Sequence, residues 1–212
     1  MAIAATNQGQ DSSQLFIAVR ERDGRVVTAR EVAENDWRDH DMYCPCCMQR
    51  GDRVEVHLDP VSVEFQHDTD APKACYRDDR CNDRYHPETT QAVYATLQND
   101  FSKSNARVEW WTDHATFDVA ADTPFDPDLE GVVVEVHNRC ANVRRRIKRK
   151  VRAAAKLGYG IHIVTTEEAT AKTFLNEFIE GYAGGDATVG SYVNGELALG
   201  AMIRPEDVLA SA

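Results

Sequence analysis

The sequence predicts a mixed α+β/α/β fold: a small β-hairpin and metal-binding module at the N-terminal side, followed by an α/β core. Three observations carry this reading. Asp23-Gly24 separates two short β-branched runs and signals a hairpin turn. Cys44 and Cys47 place two thiols on one tight turn next to a proline. Beyond Pro87, a helical apolar stripe is followed by three strand-like runs, a second amphipathic helix and a further strand.

Taken in order, residues 1–12 are polar and are expected to form a disordered tail. Residues 13–84 form the module. Its expected strands are Leu15–Val19 and Arg25–Ala29, then Val54–His57 and Val61–Phe65, with 32–41 a short helix or loop. The core spans 85–182. Pro87–Phe101 reads as a helix because Pro87 suits a first turn, Glu88 suits the positive end, and Val93, Leu97 and Phe101 share one face. Arg107–Trp111, Thr116–Ala120 and Gly131–His137 read as strands, Asn142–Leu157 as a helix ended by Gly158 and Gly160, Ile161–Thr165 as a strand, and Thr166–Tyr182 as a helix. Residues 183–212 remain as a C-terminal extension.

A chain of 212 residues can bury one core with a small satellite. It has no long apolar run, and MAIAATNQGQ lacks the profile of a signal peptide, so no membrane association and a cytoplasmic location are expected. In a reducing compartment the six cysteines read as metal ligands or free thiols rather than disulfides. The net charge of −11, with Arg well above Lys and Asp abundant, suits a halophilic protein kept soluble by its acidic surface.

That charge is unevenly placed. Residues 144–156 hold eight cations (Arg144, Arg145, Arg146, Lys148, Arg149, Lys150, Arg152 and Lys156) and no acid. Setting those eight aside from 24 leaves 16 cations against 35 acids, or −19 for the remainder. Val143, Ile147, Val151 and Ala154 recur at helical spacing, so the segment reads as an amphipathic helix with a basic outer face. Arg145, Lys148, Arg149 and Arg152 are the candidate contacts to a nucleic-acid backbone.

Cys44 and Cys47 resemble one half of a tetrahedral zinc site, which needs a second pair from a distant segment. Cys75, Cys81 and His67 are the candidates, with His57 behind them. In the core, Asp118 and Glu135 lie in apolar strands that precede the basic helix. Two acids on neighbouring strands can share Mg²⁺ or Mn²⁺, and the order helix, three strands, helix, strand is that of a restriction-endonuclease-like, PD-(D/E)xK nuclease core. His137, two residues after Glu135, can accept a proton near neutral pH. Trp110 and Trp111 offer a stacking surface for unpaired bases, although strand alternation turns one of them inward.

The chain resembles the CoiA-like competence protein family over most of its length. The resemblance runs through the hairpin Phe16–Val27, the knuckle Tyr43-Cys44-Pro45-x-Cys47, Glu64-Phe65-Gln66-His67 with Cys75 beyond it, His86 at the start of the core helix, Asp118, and Glu135-Val136-His137. It departs where Glu64 replaces a histidine, Thr90 a lysine and His137 a glutamine. It implies a zinc module, held by Cys44, Cys47, His67 and Cys75 with Cys81 in reserve, fused to a nuclease core. The catalytic set would be Asp118, Glu135, His137 and His86, acting on DNA that is single-stranded or branched. A homodimer or assembly partner fits as well. The competing expectation is an inactive nucleic-acid-binding or assembly protein that keeps the fold.

Overall fold

The structure is a computed structural model and describes residues 17–37, 41–48, 51–67, 85–100, 105–122, 126–137, 143–166 and 172–210. The expected tail at 1–12, and Cys75 and Cys81, lie outside the described residues.

In the module, β1 (Ile17–Arg20) and β2 (Val26–Thr28) pair antiparallel, with β3 (Met42–Tyr43) on the other side of β1. The hairpin closes where expected. Gly24 takes a φ of 66°, and the Asp23 carboxylate accepts the Arg25 N–H at 3.2 Å. Strand β2 stops at Thr28 because the Thr28 hydroxyl accepts the Glu31 N–H at 3.1 Å and so caps α1 (Ala29–Glu34). The knuckle forms a single helical turn, α2 (Pro45–Met48). β4 (Val56–Asp59) and β5 (Glu64–His67) form a separate antiparallel pair. Val61, expected in the second of these strands, lies in the connecting turn and is 90 % exposed.

The core is a seven-stranded mixed sheet. Its strands are β6 (Arg107–Trp111), β7 (Thr116–Ala121), β8 (Gly131–His137), β9 (Tyr159–Thr165), β10 (Val189–Val193), β11 (Glu196–Gly200) and β12 (Met202–Ile203). The order is β11-β10-β9-β8-β7-β6, with β12 paired to β9. β8, β9 and β10 run parallel, and the remaining pairs are antiparallel. The residues beyond 182, read from sequence as an extension, therefore complete the sheet. They also bring Val189, Ile203 and Val208 into its core, the last from α6 (Pro205–Ala210).

Strand β8 is buried along its whole length, so its two faces serve two cores. Val132, Val134 and Val136 pack with Val93 and Leu97 of α3 (Tyr85–Asp100). Val133 packs with Ile147 and Val151 of α4 (Val143–Lys156) and with Leu175 and Ile179 of α5 (Lys172–Ala183). Period-two alternation puts Glu135 and His137 on the α4 side with Val133. Ile17 and Val26 of the module join Val93 and Leu97 in the α3-side core.

Strands β6 and β7 break this alternation together. Val108 and Val119 face the α3-side core, whereas Trp110 and Phe117 face the other. The switch falls at the intervening residues Glu109 and Asp118, and Glu109 adopts a left-handed φ of 52°. This backbone irregularity sits beside the candidate acid. Among the described residues, no helix is long and apolar enough to cross a membrane.

Gly131 begins β8 where a side chain has no room. A Cβ would lie 2.5 Å from the Ala121 carbonyl oxygen and would collide with the Tyr159 ring. Gly131→Ala is expected to destabilise the fold by about 1–3 kcal/mol. Urea unfolding with an unchanged m-value checks this, and an unshifted midpoint would refute it.

Candidate functional site

The register between β7 and β8 pairs Val119 with Val134, Ala120 with Val133 and Ala121 with Val132. One step further on, the Asp118 side chain takes over, and its Oδ2 accepts the Val136 N–H at 2.6 Å. Its Oδ1 lies 3.5 Å from Nε2 of His86, which the first turn of α3 carries into the interior. Glu135 arrives from β8 and meets Lys150 of α4, with Nζ 2.8 Å from Oε2. The same ammonium donates to the Thr116 carbonyl and lies 5.6 Å from the centre of the Phe117 ring.

All five groups are enclosed. Asp118 is 2 % exposed, Glu135 and His137 1 %, and His86 and Lys150 4 %. Two carboxylates sharing one dry site cannot both hold a charge freely. Burial works against the charged form of Asp118, but the His86 charge and hydrogen bond, with Lys150 and the Val136 amide, pull its pKa down to about 2. Glu135 is pushed the other way, to about 8, by burial and then by the Asp118 charge, with Lys150 opposing. His86 is raised because Asp118 outweighs the effect of its burial. His137 is depressed to about 4, chiefly by burial, so its ring is neutral at ordinary pH. Among the described residues neither of its ring nitrogens has a hydrogen-bond partner. An acid pair with its pKa values driven apart, beside a neutral imidazole and an ammonium, is equipped for acid–base chemistry.

Asp118, Glu135, His86 and His137 thus converge, but not as a compact cluster of metal ligands. Among the described residues, the group with that geometry is Cys44, Cys47 and His67, whose ligand atoms all lie within 4.8 Å of one another. Cys47 Sγ and His67 Nε2 are 4.0 Å apart. The α2 turn brings the two thiols together, and β5 delivers the imidazole. Both cysteines are buried. Two sulfurs and a nitrogen in this arrangement could hold a metal ion, and the donor set suits zinc.

Sequence reasoning missed Lys150 as a site residue, because it was grouped with the basic outer face of α4. The structure corrects this: Lys150 points inward. Its position held the signal, since it follows Ile147 by three residues and precedes Ala154 by four, which places it on the buried stripe. The other seven cations, Arg145, Lys148, Arg149 and Arg152 among them, line a groove of about 870 Å³ together with His114 from the β6–β7 turn. Trp110 is no stacking platform. It packs at 5.8 Å on Phe117 and 4.8 Å on Tyr159 (centroid distances), with the Arg107 guanidinium 4.6 Å over its ring.

No protein-family model, curated protein or solved structure matches this chain.

The Lys150–Glu135 pair makes a sharp prediction. Lys150→Met strands a buried carboxyl and should cost about 3–5 kcal/mol, whereas Lys150→Met combined with Glu135→Leu should recover most of that. A double-mutant cycle from denaturant unfolding measures the coupling, and additive losses would contradict the contact.

Proposed function

We propose that the protein is a metal-dependent nuclease acting on DNA, with a structural zinc in its N-terminal module. The observation that carries this reading is the convergence of Asp118 and Glu135, from adjacent strands, with Lys150 and His86 beneath a helix whose outer face is basic. Charged groups buried this deeply cost several kcal/mol each, and pKa values driven apart in one site are a mark of chemistry.

In this reading Asp118 and Glu135 supply hard oxygen ligands for Mg²⁺ or Mn²⁺, which would polarise the phosphoryl oxygens and lower the pKa of a bound water. His86 is a positioning residue that fixes the Asp118 carboxylate. Lys150 sits beside the pair as a hydrogen-bond donor, where charge would develop on the phosphate. Neutral His137, whose ring nitrogens have no partner among the described residues, is the proton acceptor. Arg145, Lys148, Arg149 and Arg152 hold the substrate backbone. Zinc bound by Cys44, Cys47 and His67, with Cys75 or Cys81 as the fourth ligand, would fasten a module too small to bury a large core of its own. The resemblance to CoiA-like proteins supports the same arrangement.

One observation favours a second reading, a nucleic-acid-binding protein without activity. Glu135 is paired with Lys150, Asp118 with His86, and both acids are closed to solvent. Cleavage assays separate the two. Asp118→Asn and Glu135→Gln should each abolish Mg²⁺- or Mn²⁺-dependent DNA cleavage, and His137→Ala should slow it by roughly 10²–10⁴-fold. Assays belong at both molar and low salt. A wild type that cuts no single-stranded, duplex or branched DNA with either metal would establish the inactive reading.

Metal analysis of purified protein should find about one zinc per chain. Native thiols that titrate freely, with no zinc present, would remove the zinc assignment.

A further inference from the structure

The outer face of α4 carries a dense row of positive charge. Among the described residues, Arg145, Lys148, Arg149, Arg152 and Lys156 form no ion pair, in a chain whose net charge is −11. Acids are plentiful, yet among the described residues none is paired with these five. Like charges crowded on one helix repel one another, and the charge of this face is complementary to a polyanion.

Beside this face runs an aromatic ridge. Phe174, Phe178 and Tyr182 recur every four residues along α5, with ring centroids 6.1 and 5.0 Å apart. All three are half-buried, resting on the core with part of each ring left open. The ridge and the basic groove meet at Arg144. This residue lines the groove, and its guanidinium lies 4.7 Å over the Phe174 ring. The remaining α5 residues that face the core, Leu175 and Ile179, are fully buried and do not need the ridge as cover.

We infer that the α4 groove and the α5 ridge together form a binding track for an unpaired DNA strand, with phosphates on the cations of α4 and bases on Phe174, Phe178 and Tyr182. Charge selects the polyanion. The rings select against a duplex, because paired bases hide their faces in the stack, whereas every unpaired base has a face to offer. Arg144, stacked on Phe174 at the junction, belongs to both parts. This inference rests on the proposed DNA-binding role of α4 and adds to it the form of the substrate.

The test compares three DNA probes of one length on the intact wild-type protein, without added Mg²⁺ or Mn²⁺ so that cleavage plays no part: a mixed-sequence single strand, the corresponding duplex, and an abasic strand that keeps the phosphates but lacks bases. The single strand should bind on the order of 10-fold or more tighter than the abasic strand, and tighter than the duplex. Phe178→Leu should weaken the single strand and leave the abasic strand unchanged. Replacing Arg145, Lys148, Arg149 and Arg152 with Gln should weaken all three and flatten the salt dependence. Equal affinity for the single and abasic strands, or a preference for the duplex, would overturn the ridge while leaving a nuclease reading intact. Absence of binding to any probe would overturn the DNA-binding role of α4 itself. Binding as expected without cleavage under any condition would fail the nuclease alone.

Discussion

The ion pair between Lys150 and Glu135 constrains more of this structure than any other single contact. It joins the middle of α4 to the end of β8, and the same ammonium reaches the first residue of β7. Neither polar group has an alternative partner in water, since both side chains are almost completely enclosed. Helix α4 therefore cannot rotate or slide on the sheet without leaving a charge stranded in an apolar layer. The apolar stripe of Val143, Ile147, Val151 and Ala154 gives the helix its affinity for the sheet, and Lys150 gives it one register.

The consequence is a helix with two electrostatic characters. Inside, each acid has its own basic partner: Asp118 faces His86, Glu135 faces Lys150, and His137 stays neutral. Outside, cations gather along the groove, and among the described residues Arg145, Lys148, Arg149, Arg152 and Lys156 form no ion pair. A side-chain layer of Ile147, Val151, Ala153 and Ala154 separates the two. The opposed pKa values of Asp118 and Glu135 arise inside, from burial, the mutual charge of the two acids, and the His86 and Lys150 partners.

Much of the core was legible from the chain because its periodicities are strong. Gly131–His137 and Arg107–Trp111 are strands with the bounds their sequences suggest, and the basic helix differs by one residue at each end. Asp118, Glu135, His137 and His86 do come together, because a charged residue within an apolar strand stands out against its neighbours. The rest was hidden for physical reasons. Lys150 looks like any other cation in a basic run, and only its phase on the helix betrays it. Strands β10–β12 are short and interrupted by glycine, and their pairing depends on distant partners rather than on a local pattern. The face switch at Glu109 and Asp118 belongs to two strands at once, so neither segment reveals it alone. Trp110 could have served either the core or the surface, and Phe117 and Tyr159 supply the aromatic partners that settle it inward.

The module and the core share one apolar cluster, in which Ile17 and Val26 meet Val93 and Leu97. Helix α3 is thus held from both sides, and it is the element that carries His86. The Gln91 side chain adds a polar tie, donating to the Val26 carbonyl and to Glu31. Opening the module would uncover α3 and loosen His86, the group that fixes Asp118. The shared cluster couples the stability of the two parts. Any ion captured by the thiols adds its binding free energy to the cohesion of the acid site, through a linkage that requires no contact between them.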